Sequence, residues 1–167
     1  DQGAIALGYG GLSPLSIADP SNPSVGPAFN LVGNSNDLDM EDGLVAIAAH
    51  GHGQHVVDLS DPEKPEMIAR YEVTEYGTHN IWVEDDILYQ AYYEGGMRLV
   101  DVSGELMGNL YTQGREIAVH KANDPQGWIA NAPAAWSVIP YKGHVFFSDI
   151  SSGLWAVKLE PKGRPVS

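Results

Sequence analysis

Apolar residues occur along this chain in short runs separated by glycine, proline and acidic residues. The segment 78–112 shows the pattern, with β-prone or apolar stretches at 79–83, 87–93, 97–102 and 106–111. Runs of this length, bounded by turn-forming residues, predict β-strands joined by tight turns. No segment has the long 3.6-residue apolar period of an amphipathic helix, so we expect almost no helix.

The same pattern recurs along the sequence. Residues 35–60 align without a gap on 78–103, a shift of 43 positions that places Asp58 on Asp101. A weaker copy lies 42 positions upstream, and another lies 57 positions downstream, which predicts an insertion before the last copy. Four short strands in a unit of this length are typical of one blade of a β-propeller.

We therefore predict an all-β fold, a β-propeller with about three and a half four-stranded blades in this chain. Incomplete blades leave open sheet edges, which readily pair with other strands. We expect the chain to belong to a larger ring, completed by another stretch of the same gene product or by a second copy, which would give seven blades. The predicted parts are a blade without its innermost strand (4–34), two full blades (35–77 and 78–112), an inserted loop (113–135), a blade without its outermost strand (136–160) and a tail (161–167).

Composition narrows the range of partners. The 167 residues include no cysteine, 9 Lys and Arg, and 22 Asp and Glu, for a formal net charge of −13. Lack of cysteine excludes disulfides, thiolate metal sites and cysteine nucleophiles. The acidic balance argues against nucleic acid as a partner. No apolar run is long enough for a membrane span in this segment. We expect a protein partner because the predicted loops are rich in aromatic residues, which are common in protein interfaces.

Several stretches resemble a known repeat family. Residues 56–65 and 97–103 each have an aliphatic run followed by Asp and Ser, and they resemble the LVIVD repeat. Residues 79–93, 135–141 and 148–154 are similar to the end of choice-of-anchor B propellers. The resemblance implies an exported propeller of extracellular, periplasmic or cell-surface location, and it carries over no catalytic residue.

One end of the predicted propeller should collect the turns between the second and third strands of each blade, together with the connections between blades. Loops on a rigid scaffold are frequent binding sites. The insertion is too long for a simple connector, and we interpret it either as a functional loop or as a packing plug. The candidate binding residues at this end are His79, Tyr93, Arg115, His120, Trp128 and Trp136.

Two pairs of residues are candidate metal ligands. His50 and His52 are two positions apart and close to His55, and imidazole nitrogens suit zinc or copper. Asp37 and Asp39 are placed to face a central cation, and carboxylate oxygens suit calcium, although the surrounding residues do not fit the EF-hand register. The alternatives are solvated turn histidines and ordinary strand residues.

Motifs for catalysis are missing from the sequence. It has no nucleophile elbow, P-loop, dinucleotide fingerprint or H-E-x-x-H motif. We interpret the chain as a non-catalytic exported propeller that acts as a protein-binding or assembly module. The alternative is a metal-dependent enzyme or metal-binding propeller with a divalent cation, calcium, zinc or copper, at the channel mouth.

Overall fold

A computed structural model of the protein describes residues 2–160 as four small β-sheets without helix, and it confirms the predicted all-β class. The predicted tail, 161–167, lies outside the described residues. Because residues 2–160 form no helix, none of them forms a membrane-spanning helix. The strands, in chain order, are β1 (Gln2–Ala6), β2 (Leu12–Ser16), β3 (Ser24–Val25), β4 (Asn34–Glu41), β5 (Leu44–His50), β6 (Gln54–Asp58), β7 (Glu66–Tyr71), β8 (Ile81–Glu84), β9 (Ile87–Ala91), β10 (Met97–Asp101), β11 (Gly108–Asn109), β12 (Glu116–His120), β13 (Ala135–Tyr141), β14 (His144–Asp149) and β15 (Gly153–Val157).

The sheets follow one another along the chain. Sheet 1 has the order β1-β2-β3, sheet 2 the order β4-β5-β6-β7-β11, sheet 3 the order β8-β9-β10-β12, and sheet 4 the order β13-β14-β15. All neighbouring strands are antiparallel except β7 and β11, which are parallel. Strand β1 contacts β4, β4 contacts β8, and β8 contacts β13, so successive sheets lie side by side along their first strands.

The turn residues that recur in the sequence lie in tight turns at the two ends of the sheets. We call the end with the turns 7–11, 50–53, 92–96 and 150–153 the upper end. The opposite end, with the turn between the first two strands of sheets 2, 3 and 4, is the lower end. Lower-end turns have positive φ at both central positions, 48° and 82° at Asp42 and Gly43, which suits the twist of a hairpin.

The repeated upper-end glycine has a steric role. Gly53 and Gly96 have φ of 74° and 81°, and a β-carbon there would lie 2.5 Å from the Tyr71 carbonyl oxygen and 2.4 Å from the His120 carbonyl oxygen. Both carbonyls belong to the next strand outward, so only glycine fits beside that strand. Gly153 would meet nothing within 4 Å, because sheet 4 has no further outer strand among residues 2–160.

Alternate residues of each strand point to opposite faces of its sheet. The apolar residues of facing sheets pack together in three clusters, and these clusters hold the four sheets together. The first interface, between sheets 1 and 2, contains Leu12, Ile47 and Leu59. The second interface, between sheets 2 and 3, contains residues such as Tyr71, Leu88, Tyr92 and Val100, and the third, between sheets 3 and 4, contains residues such as Met97, Leu99, Val138 and Phe147. Sheets 2 and 3 are therefore covered on both faces.

The fourth strand of sheet 3 differs from the prediction. The predicted strand at 106–111 crosses to sheet 2 instead, where its short segment β11 runs parallel to β7 and Leu110 is fully buried. The strand that pairs with β10 is β12, inside the predicted insertion. The prediction of 106–111 as this strand is wrong because its apolar residues serve the second interface, whereas β12 supplies the ladder. The inserted loop thus narrows to 121–134.

Candidate binding face

An aromatic cluster lies at the upper end, where sheets 2, 3 and 4 meet. We define it as His50, His79, Tyr93 and Trp136. The rings of His79 and Trp136 are stacked with centroids 3.7 Å apart, and the Tyr93 ring meets both edge-on at 5.7 and 5.8 Å. His50 contacts Tyr93 edge-on at 5.4 Å. The structure therefore brings together three of the six predicted binding residues and adds His50.

Tyr93 is the centre of this cluster because its backbone is held between two sheets. Its N–H donates to the Ala135 carbonyl at 3.2 Å, and the Ala135 N–H donates to the Tyr93 carbonyl at 3.0 Å. Its φ is 40°, a left-handed value that few aromatic residues adopt. The paired hydrogen bonds maintain this conformation, which directs the ring toward His79 and Trp136.

The loop 121–134 is fixed to the upper turn of sheet 4. The Trp128 N–H donates to the Ser151 carbonyl at 2.7 Å, and the Ser151 hydroxyl bonds both the N–H and the carbonyl of Ile129. The buried Asp149 carboxylate accepts the Ala134 N–H at 2.5 Å. These bonds leave the Trp128 side chain 83% exposed. The loop is thus anchored at its base and presents a large aromatic side chain to solvent.

Two predicted binding residues lie elsewhere. Arg115 is at the lower end, where its guanidinium donates to the carbonyls of Ser103 at 2.6 Å and Glu105 at 2.7 Å. Its predicted place on the binding face is wrong because 116–120 is a strand that starts at the lower end, not part of an upper loop. His120 reaches the upper end but packs in the third interface, against the rings of Phe147 and Trp155.

The candidate calcium ligands serve a different purpose. The Asp37 carboxylate accepts the backbone N–H of Ile81 at 3.0 Å, and the Asp39 carboxylate accepts that of Val83 at 2.6 Å. Strand β8 is the edge of its sheet, so its outward N–H groups need partners outside the ladder. The two carboxylates of β4 supply those partners and link sheet 2 to sheet 3, and their role as cation ligands stays a prediction.

The candidate transition-metal ligands do not form a site. His50 belongs to the aromatic cluster, whereas His52 lines a cavity of about 360 Å³ beside sheet 1, together with His55 and Arg70. Within residues 2–160, no three His, Asp or Glu side chains are arranged to hold a metal ion. Burial lowers the pKa of His55, and the nearby Val32 backbone partly offsets this effect.

A buried polar network in the second interface was not anticipated. The Arg98 guanidinium donates to Glu116 at 2.5 Å and to the Tyr71 hydroxyl at 3.2 Å, and Tyr71 donates to Glu116. Arg98 also lies over the Tyr92 ring, 5.5 Å from its centroid. Burial raises the pKa of Tyr92 to about 12, and burial together with Glu116 raises that of Tyr71. The sequence gives only a weak indication of this network, because Glu116 lies outside the repeated motif.

Comparisons with known proteins support the fold alone. No protein-family model and no curated protein matches the chain. The backbone is similar to the crystal structure of the computationally designed Ika4 protein, with a TM-score of 0.68 and 9% identity over 94% of this chain and 84% of that chain. It is similar to the designed Ika8 protein with the same score and identity, over 95% of this chain and 43% of that one.

Proposed function

We propose that the four sheets are successive blades of a β-propeller and that this chain supplies part of a larger ring, completed by more of the same gene product or by a second copy. The sequential side-by-side order of β4, β8 and β13 supports this arrangement. The outer face of sheet 4 supports continuation of the ring, because Leu154 is 75% exposed and Ile139 is also exposed there. Apolar sheet faces of this kind are normally covered.

We propose further that the protein is a non-catalytic, exported or cell-surface module that binds another protein through its upper end. The observation that carries this proposal is the exposure of Trp128 at 83% and Tyr9 at 84%, on either side of the aromatic cluster. Large aromatic side chains are frequent anchors of protein interfaces. The LVIVD-like repeats support the extracellular or surface location.

Rigidity supports the same interpretation. Trp128 is presented by a loop whose base is fixed by Ser151 and Asp149, so little backbone freedom is lost when a partner covers it. His79 is also positioned firmly, since its Nδ1 lies 2.5 Å from the Asn80 side-chain oxygen while its ring stacks on Trp136. Such a surface is suited to recognition of a matching protein surface.

Site-specific photo-crosslinking in the cells that produce the protein tests this proposal. A photoreactive phenylalanine analogue in place of Trp128 should yield one discrete crosslinked protein in the surface or secreted fraction. The control carries the analogue in place of Lys64, whose side chain is 84% exposed in the lower-end turn between β6 and β7. Equal crosslinking from both positions, or none from Trp128, would contradict the proposal.

A further inference from the structure

An apolar groove opens at the lower end, away from the upper-end surface. It has a volume of about 390 Å³, within the usual range of ligand pockets, and lies between sheets 2 and 3. Each sheet contributes part of its wall, so the groove follows the second interface where the two sheets diverge. Its apolar lining includes Leu44, Ala46, Val56, Val83, Leu88 and Leu106.

Carboxylates surround the mouth of this groove. The first turns of sheets 2 and 3 are equivalent in the repeat, and side by side they place Glu41, Asp42, Asp85 and Asp86 at its rim. The ion pairs among residues 2–160 involve other carboxylates, those of Asp61, Glu72 and Glu116. The rim therefore holds several negative charges that no basic side chain of the described residues neutralises.

The crowding of these charges affects an individual rim residue. Slight desolvation, followed by the nearby carboxylates of Asp42, Asp86 and Asp85, raises the pKa of Glu41. Like charges in such proximity repel, and a cation placed among them relieves the repulsion. The groove thus combines an apolar floor, which favours an apolar group, with a rim that favours positive charge.

We propose that this groove binds a basic peptide segment of a partner protein. One aliphatic or aromatic side chain of the segment fills the space between the sheets, while flanking lysine or arginine side chains meet the rim carboxylates. A peptide fits better than a small amine because the rim charges come from two separate turns, and one ammonium group reaches only part of them. Peptide recognition commonly pairs one apolar anchor with flanking charges.

Fluorescence anisotropy with short labelled peptides tests the proposal on the full chain. The probe Lys-Lys-Leu-Lys-Lys should bind at least about tenfold more tightly than Lys-Lys-Ser-Lys-Lys, since burial of a leucine side chain contributes more than 1.4 kcal/mol. Added salt should weaken binding of both. Equal affinity of the leucine and serine peptides would overturn the role of the apolar floor.

Variants of the rim and the wall locate the binding. Asp85→Asn with Asp86→Asn should weaken the leucine peptide at least about fivefold, and asparagine tolerates the positive φ at both positions. The control, Glu75→Gln with Glu94→Gln, removes the same charge from exposed upper-end residues and should change affinity less than twofold. Equal weakening in both double variants would show attraction by net charge alone and would overturn the site.

Leu106→Ala provides an independent check of the wall. It should weaken the leucine peptide but leave the serine peptide unchanged, with thermal unfolding confirming that the variant is folded. Tighter binding after removal of residues 161–167, which include Lys162 and Arg164, would assign the groove to the chain's own basic segment and overturn the partner assignment. Crosslinking at Trp128 probes the opposite end, so either proposal can fail without the other.

Discussion

The second and third interfaces join equivalent sheet faces with different chemistry. In the second, the buried Arg98 binds Glu116 and Tyr71. In the third, Trp155 occupies the repeat-equivalent position, two residues after the upper-end glycine, and its ring centroid lies 5.5 Å from that of His120 in sheet 3. The repeat therefore sets where a side chain enters an interface, while the residue type decides how that interface is held.

The first interface extends this comparison. His55 is the counterpart of Arg98 in sheet 2 and is also buried, facing sheet 1. Three equivalent positions thus carry a histidine, an arginine and a tryptophan in successive sheets. An interface held by a buried ion pair loses much of its stability when one partner is removed, because the remaining buried charge is costly. An interface packed by aromatic rings loses its stabilisation more gradually as contact area is removed.

Removal of the Glu116 carboxylate should have the largest effect. Glu116→Leu leaves the Arg98 guanidinium buried without its counter-charge, and the free energy of unfolding should fall by about 3–5 kcal/mol in urea denaturation. Adding Arg98→Met to this variant should restore most of the loss. Arg70→Met, which breaks the more exposed Arg70–Glu72 pair, should cost less than about 1 kcal/mol. A double variant as unstable as the sum of its parts would contradict the coupling.

Alkaline pH should weaken the second interface specifically. The folded-state pKa of Tyr92 is raised from 10.0 to about 12, so its stabilising contribution is complete below pH 10 and is lost as pH rises toward 12. Two pKa units correspond to about 2–3 kcal/mol. Tyr92→Phe should reduce the dependence of unfolding free energy on pH in this range, and Tyr71, whose pKa burial also raises, should carry the rest. Tyr141→Phe, at an exposed tyrosine, should leave the dependence unchanged. An unchanged slope in Tyr92→Phe would refute this assignment.

The stack of His79 on Trp136 in the aromatic cluster, which also joins sheets 3 and 4, should have the smallest effect. Trp136→Leu removes the stack on His79, which contributes about 0.5–1.5 kcal/mol to the free energy of unfolding. The loss should be the same in low and high salt, since no ion pair is involved. Trp82→Leu offers a matched control, because Trp82 is similarly exposed and joins no aromatic stack among residues 2–160. A strong salt dependence for Trp136→Leu would remove the contrast with the second interface.

The sequence predicts the recurring order of strands and turns. Strand alternation and the regular spacing of turn residues predicted the all-β class and the positions of most strands. The outer strand of sheet 3 was misplaced because both 106–111 and 116–120 are compatible with a strand, and only burial of Leu110 against sheet 2 separates them. Local composition carries no information about which neighbouring sheet a segment joins.

The candidate site was predicted in part for the same reason. His79, Tyr93 and Trp136 meet because they flank strand ends that the repeat places together. Arg115 was misplaced with the strand that follows it. Asp37 and Asp39 have the composition of a cation site, yet their carboxylates bind backbone N–H groups of β8. These hydrogen bonds depend on how β4 and β8 are displaced relative to each other along the strand direction, which a sequence pattern does not specify.

The differing residues at the His55, Arg98 and Trp155 positions constrain how such a gene can change in length. Recombination between similar repeats would delete or duplicate a unit of 43 residues while preserving every strand and turn. Every such deletion between 35–60 and 78–103 removes Tyr71, and one that also removes Arg98 leaves Glu116 opposite His55. Copy number can therefore evolve only together with these positions, although the repeats look interchangeable.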